Sequence, residues 1–76
     1  MSSYDFRGLK CPIPVLKAFK IMKKEKKNNL FIFLTDDVSA PNDFRDFCKN
    51  TGNKITQLKK IDTYYEIIIE KIISEI

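Results

Sequence analysis

Histidine is absent from this chain, cysteine occurs twice, and glycine occurs twice. Each scarcity removes a class of chemistry. Without histidine there is no Ser/His/Asp set, and two lone cysteines do not make a zinc site, so no metal is expected. Two glycines cannot build a phosphate-cradling loop, and no nucleotide or other cofactor is expected. Two cysteines are also too few for a secreted disulfide scaffold. The longest apolar run, Leu30 to Leu34, is far too short to span a membrane. The first residues, Met1-Ser2-Ser3-Tyr4-Asp5, have no basic stretch followed by an apolar one, so no signal peptide is expected. Cytoplasmic location, with no membrane association, is the resulting expectation.

What is present fits a small globular domain. The 76 residues are 43% hydrophobic and 32% charged, and a single domain over 1–76 is expected. The net charge of +4 is unevenly spread. Residues 1–30 hold eight Lys/Arg against Asp5 and Glu25, and the remainder holds six basic against eight acidic side chains. Such a basic patch can attract nucleic acid or an acidic protein surface, although its plain reading is a solvated helix flank.

The element pattern predicts β-α-β-α-β-β. Tyr4 and Phe6 suggest a short strand over Ser3–Arg7, ended by Gly8. From Pro12, a stripe of Val15, Leu16, Ala18, Phe19 and Met22 predicts a helix, with Lys17, Lys20, Lys23 and Lys24 opposite and fraying at Lys26 to Asn29. Leu30 to Thr35 reads as a central strand covered by helices. After the loop Asp36-Asp37-Val38-Ser39, with Ser39 as N-cap, a second helix runs to about Thr51 and stops at Gly52. Lys54–Ile61 and Tyr64–Ile72 form a hairpin around Asp62-Thr63, with Ile55 and Leu58 inward. The fold class is α/β (α+β), a two-layer sandwich with two helices on one face of a four-stranded mixed sheet. The predicted core is Phe19, Met22, Ile32, Phe44, Phe47, Ile67 and Ile69.

The chemically telling stretch is Arg7-Gly8-Leu9-Lys10-Cys11-Pro12-Ile13-Pro14-Val15-Leu16-Lys17. Proline is tolerated in a first helical turn, so Pro12 and Pro14 read as first-turn residues with Cys11 at the N-cap or next to it. That position favours a thiolate, and Lys10 and Lys17 add charge of the helpful sign. Cys48, beside Phe47 on an apolar stripe, reads instead as an inert core residue. Asp36 and Asp37 read as helix-starting carboxylates that are also candidates for partner contact.

These residues resemble the TusA-like (SirA-like) family of small sulfur carriers, marked by Cys-Pro-x-Pro at the start of the first helix. The match takes in Asp5, Gly8-Leu9, Cys11-Pro12-Ile13-Pro14-Val15, Lys17, Asp36-Asp37, Asp43, Phe47-Cys48 and Gly52. It ends with the alternation Tyr65-x-Ile67-x-Ile69-x-Lys71, and covers about residues 4 to 71. Four turn positions depart from the family pattern: Asn28-Asn29, Val38, Asn53 and Thr63.

The resemblance implies that Cys11 carries sulfur as a persulfide, supported by Gly8, Lys10, Pro12, Pro14 and Lys17. The donor would be a cysteine desulfurase or another persulfide donor. The acceptor would be a downstream sulfur-relay protein or a thiolation enzyme, with 2-thiouridine in transfer RNA among the destinations. Lys20, Lys23 and Lys24, with Asp36 and Asp37, are the candidate partner contacts, and direct nucleic-acid binding is not expected. Two alternatives stay open. One is a basic RNA- or protein-binding module in which Cys11 is incidental; the other is a thiol redox sensor, which needs a second thiol near Cys11.

Overall fold

Leu30–Thr35 is apolar on both faces of its pleat, and it forms the interior strand that such a run demands. The computed structural model describes residues 2–10, 12–25 and 29–72. The elements are β1 (Ser2–Asp5), α1 (Ile13–Lys24), β2 (Leu30–Thr35), α2 (Ala40–Thr51), β3 (Lys54–Ile61) and β4 (Tyr64–Glu70). The sheet order is β1-β2-β4-β3. β1 runs parallel to β2, and the β2–β4 and β4–β3 pairs are antiparallel. A parallel neighbour needs a crossover connection, and α1 supplies it.

Both helices lie on one face. The sheet contributes Phe31, Phe33, Thr35, Ile67 and Ile69 to the interior, all with no exposed surface. Ala18 and Met22 of α1, with Ala40, Phe44, Phe47 and Cys48 of α2, close over them. Phe33 is the hub: its ring centroid lies 5.4 Å from Phe6, 5.7 Å from Tyr4 and 5.7 Å from Phe44. Ring pairs at these separations add to the burial of apolar area.

Two of the seven predicted core residues are misplaced. Ile32 is half-buried on the sheet face away from the helices, and Phe31 and Phe33 take the inward positions. With apolar residues at every position of β2, alternation carries no information about which face is inside. The register decides, pairing Phe31 with Ile69 and Phe33 with Ile67. Phe19 is 36% exposed at the rim of α1, touching the core only through an edge-to-face contact with Phe47 at 6.0 Å. Met22, Phe44, Phe47, Ile67 and Ile69 are buried as predicted.

Boundaries shift at three places. β1 ends at Asp5 rather than Arg7, because Arg7 folds back to pair with Asp5. β4 ends at Glu70, two residues before the predicted Ile72. Ser39 is the N-cap of α2, but its hydroxyl does not cap: it lies 3.1 Å from Asp37 Oδ1 and 3.3 Å from Asp43 Oδ2. The predicted fraying at Lys26, Lys27 and Asn28 lies outside the described residues.

Ile55 and Leu58 both face the core although an odd spacing separates them, because a bulge between Ile55 and Gln57 inserts one residue. The bulge and the exposed Lys54, Lys59 and Lys60 also blunt this edge strand. Asp62, at φ 55°, takes the left-handed turn position that Thr63 leaves without a glycine. The far end of α1 is tied down by Lys71, whose Nζ donates to the carbonyl oxygens of Met22 (2.7 Å) and Glu25 (2.9 Å). A cation there also meets the negative end of the helix dipole.

Candidate functional site

The connection from β1 to α1 is built by short-range geometry. Phe6 still pairs with β2, its N–H donating to Leu34 O at 2.7 Å. The chain then turns, with Leu9 N–H donating to Phe6 O at 3.1 Å across Gly8. Gly8 has φ +91°, a left-handed conformation that costs other residues strain, although a Cβ there would meet nothing within 4 Å. Its N–H donates to Asp36 Oδ1 at 3.0 Å, which ties this turn to the connection after β2. Asp36 thus has a specific task at the site, as the anchor of the turn before Cys11.

Arg7 brackets the same turn. Its guanidinium donates to both carboxylate oxygens of Asp5, at 2.9 and 2.8 Å, and lies 4.9 Å from the Tyr64 ring centroid. The Arg7 guanidinium holds the Asp5 carboxyl down at about 2. Asp37 organises the neighbouring connection, its Oδ1 accepting from Ser39 N–H at 3.1 Å.

α1 begins at the N-cap Pro12 (φ −97°, ψ 14°), with Pro14 buried in its first turn. Among the described residues no side chain caps this end, and no acidic residue occupies the first turn, so α1 itself brings no negative group to the positive end of its dipole. Cys11, the residue immediately before this N-cap in sequence, lies outside the described residues. Lys10 and Lys17 are exposed on either side of the helix start.

Lys20, Lys23 and Lys24 are exposed on α1, with Lys23 5.9 Å above the Phe19 ring. At ~1.5 Å rise per residue, Lys23 stands about 15 Å along the helix from Ile13. The structure therefore divides the predicted partner-contact residues. Asp36 is bonded to the turn that precedes Cys11 in sequence, Asp37 holds the start of the next connection through Ser39, and Lys23 and Lys24 belong to the far end of α1.

The sequence reading missed a groove of ≈ 300 Å³ between the helices, lined by Pro12, Val15, Asp43, Asp46, Phe47 and Asn50 among others. Asp43, Asp46, Phe47 and Asn50 recur at helical spacing, so one stripe of α2 carried the signal. Ile13 (40%) and Leu16 (51%) in the first turns of α1, and Val38 (82%) in the loop before α2, stay exposed. Cys48 is elsewhere: it is 4% exposed in the core, and burial pushes its thiol up to about 11. Such a thiol stays neutral and unreactive near neutral pH. Among the described residues no three His, Cys, Asp or Glu side chains gather to hold a metal ion. No helix among them is long and apolar enough to cross a membrane.

The family model described as sulfurtransferase TusA matches residues 2–71, nearly the whole chain. This chain belongs to the TusA family. A TusA-family relative in Neisseria meningitidis serogroup A is 32% identical over 66 residues, covering 87% of this chain and 89% of the relative. The protein named sulfur carrier protein TusA in Allochromatium vinosum is 30% identical, with 88% of each chain covered. Among solved structures, the SirA-like protein from Desulfitobacterium hafniense superposes with a TM-score of 0.80 at 24% identity, over 92% of this chain and 96% of that one. The last likeness is one of fold, and it carries the two-helix, four-stranded sandwich described above.

Proposed function

We propose that the protein is a cytoplasmic sulfur carrier in which Cys11 holds the cargo sulfur as a persulfide. The observation that carries the reading is the family match, which spans residues 2–71 and so takes in Cys11. In the transfer, the Cys11 thiolate attacks the outer sulfur of a donor persulfide, E–S–SH. The S–S bond of the donor breaks, the donor leaves as its thiolate, and Cys11–S–SH forms. An acceptor thiolate then takes the same outer sulfur and returns Cys11 as thiolate. No external oxidant or reductant is needed, because the sulfane sulfur keeps its oxidation state.

The residues around Cys11 support each step. The uncapped start of α1 and the exposed Lys10 and Lys17 favour a thiolate and then a persulfide anion. Pro12 and Pro14 restrict the backbone after Cys11, and the turn before it is held by the hydrogen bond from Gly8 N–H to Asp36. The donor in this reading is a cysteine desulfurase, and the acceptor is a relay protein or enzyme that ends in a thiolated product such as 2-thiouridine in transfer RNA.

Incubation with a cysteine desulfurase and cysteine, followed by intact mass, tests the proposal. The expected result is one added sulfur atom on the wild type and on Cys48→Ser, and none on Cys11→Ser. Sulfur retained by Cys11→Ser would overturn it.

A further inference from the structure

The groove between α1 and α2 has a charge opposite to that of the chain. The protein is +4 overall, and the lysines of α1 dominate its first half. Yet among the described residues no lysine or arginine lines this groove, and the ionisable side chains there are Asp43 and Asp46, one turn apart on α2. Asp43 accepts from the Ser39 hydroxyl, and neither carboxylate is ion-paired among the described residues. The floor is apolar, made by Val15 and the edge of Phe47. The groove opens at Pro12, the residue that follows Cys11 in the chain. At ≈ 300 Å³ it has room for one large aliphatic side chain with its neighbours, and far too little for a folded element.

Resting on the sulfur-carrier reading, we propose that this groove seats the segment of the partner protein that bears its reacting cysteine, and that this segment is basic. One aliphatic side chain of the segment enters between Val15 and Phe47. A lysine or arginine beside it meets Asp43 and Asp46. The two contacts set the segment's direction and bring its cysteine to the start of α1. The charge of the seat therefore opposes the one expected from Lys20, Lys23 and Lys24, none of which lines the groove. Those lysines face a different part of any partner, farther along α1.

Short synthetic peptides test this directly. Each carries one cysteine activated as a pyridyl disulfide, flanked by Leu and Lys in one peptide and by Leu and Glu in the other. Capture by Cys11 is followed by release of thiopyridone at low salt. The lysine peptide is expected to react roughly 3- to 10-fold faster than the glutamate peptide, as two rim ion pairs allow. The advantage should shrink towards unity at high salt, and in Asp43→Asn/Asp46→Asn at low salt. The double variant should keep its rate with a small uncharged disulfide, which reports the thiol alone. A glutamate peptide that reacts as fast, or a preference that survives the double variant, would overturn the seat while leaving the carrier reading standing. Loss of the small-disulfide rate in Cys11→Ser, together with sulfur loading, reports on the carrier reading separately.

Discussion

The two ends of α1 are finished in opposite ways. At the C-terminal end, Lys71, the residue just after the last strand, reaches across the layer to occupy two helix carbonyls, at 2.7 and 2.9 Å. Lys71 N–H also donates to Asn29 O, so the end of β4, the start of β2 and the end of α1 are knotted together. At the N-terminal end no side chain among the described residues caps the helix, Ile13 and Leu16 remain exposed, and a groove runs in beside Pro12. The far end is thus closed by a side chain bonded directly to helix carbonyls, whereas near Cys11 the long-range bond, from Gly8 N–H to Asp36, holds the preceding turn and leaves the helix start itself uncovered. The end next to Cys11 keeps exposed apolar surface and, among the described residues, two carboxylates, Asp43 and Asp46, without ion-pair partners. A transfer protein needs that division, since groups satisfied within the fold have nothing left to offer a partner.

Substitutions can break the comparison, beginning with the core that both ends share. Phe44 has no exposed surface and stacks on Phe33, so Phe44→Ala should cost on the order of 3–5 kcal/mol in urea unfolding. That is a large part of a small domain's stability, and both ends should loosen together. A loss below about 1 kcal/mol would mean that the helices are not seated on the sheet as described. Next comes the closed end. Lys71→Met keeps the aliphatic stem but removes the donor from two carbonyls, and should cost about 1–3 kcal/mol. Amide exchange should quicken over the last turn of α1, while alkylation of Cys11 keeps its rate. Slower or faster alkylation in this variant would show that the ends are coupled. The smallest expected effect is at the open end. Gly8→Ala meets no steric obstacle but must hold φ +91°, which costs about 1 kcal/mol. Here the alkylation rate of Cys11 should change more than the unfolding midpoint does, because the strain sits in the turn that precedes it.

Much of the fold was legible in the residues. Helical periodicity placed α2 and the start of α1 to within a residue, and Gly52, at φ 80°, ends α2 where expected. The hairpin was readable because two alternating segments flank Asp62-Thr63. The faces of β2 were not readable. Leu-Phe-Ile-Phe-Leu is apolar at each step, and only pairing with Ile67 and Ile69 selects Phe31 and Phe33. Phe19 was misassigned for a related reason. A stripe of Val15, Leu16, Ala18, Phe19 and Met22 is wider than the strip a helix buries on a sheet, and Phe19 falls at its margin.

For the site, the sequence alone supplied the candidate: one cysteine stands in front of two alternating prolines and another within an apolar helical stripe, and their immediate neighbours set different expectations for the two. Those are local relations, and local relations survive in a linear string. The tertiary structure decided what surrounds them. Asp36 is bonded to Gly8 across 28 residues, Lys71 reaches Met22 across 49, and Asp43 and Asp46 of α2 stand over a groove that opens at the first turn of α1. Each depends on the crossover that lays both helices on one face of the sheet. That packing is set by the summed burial of many side chains, and no single motif encodes it.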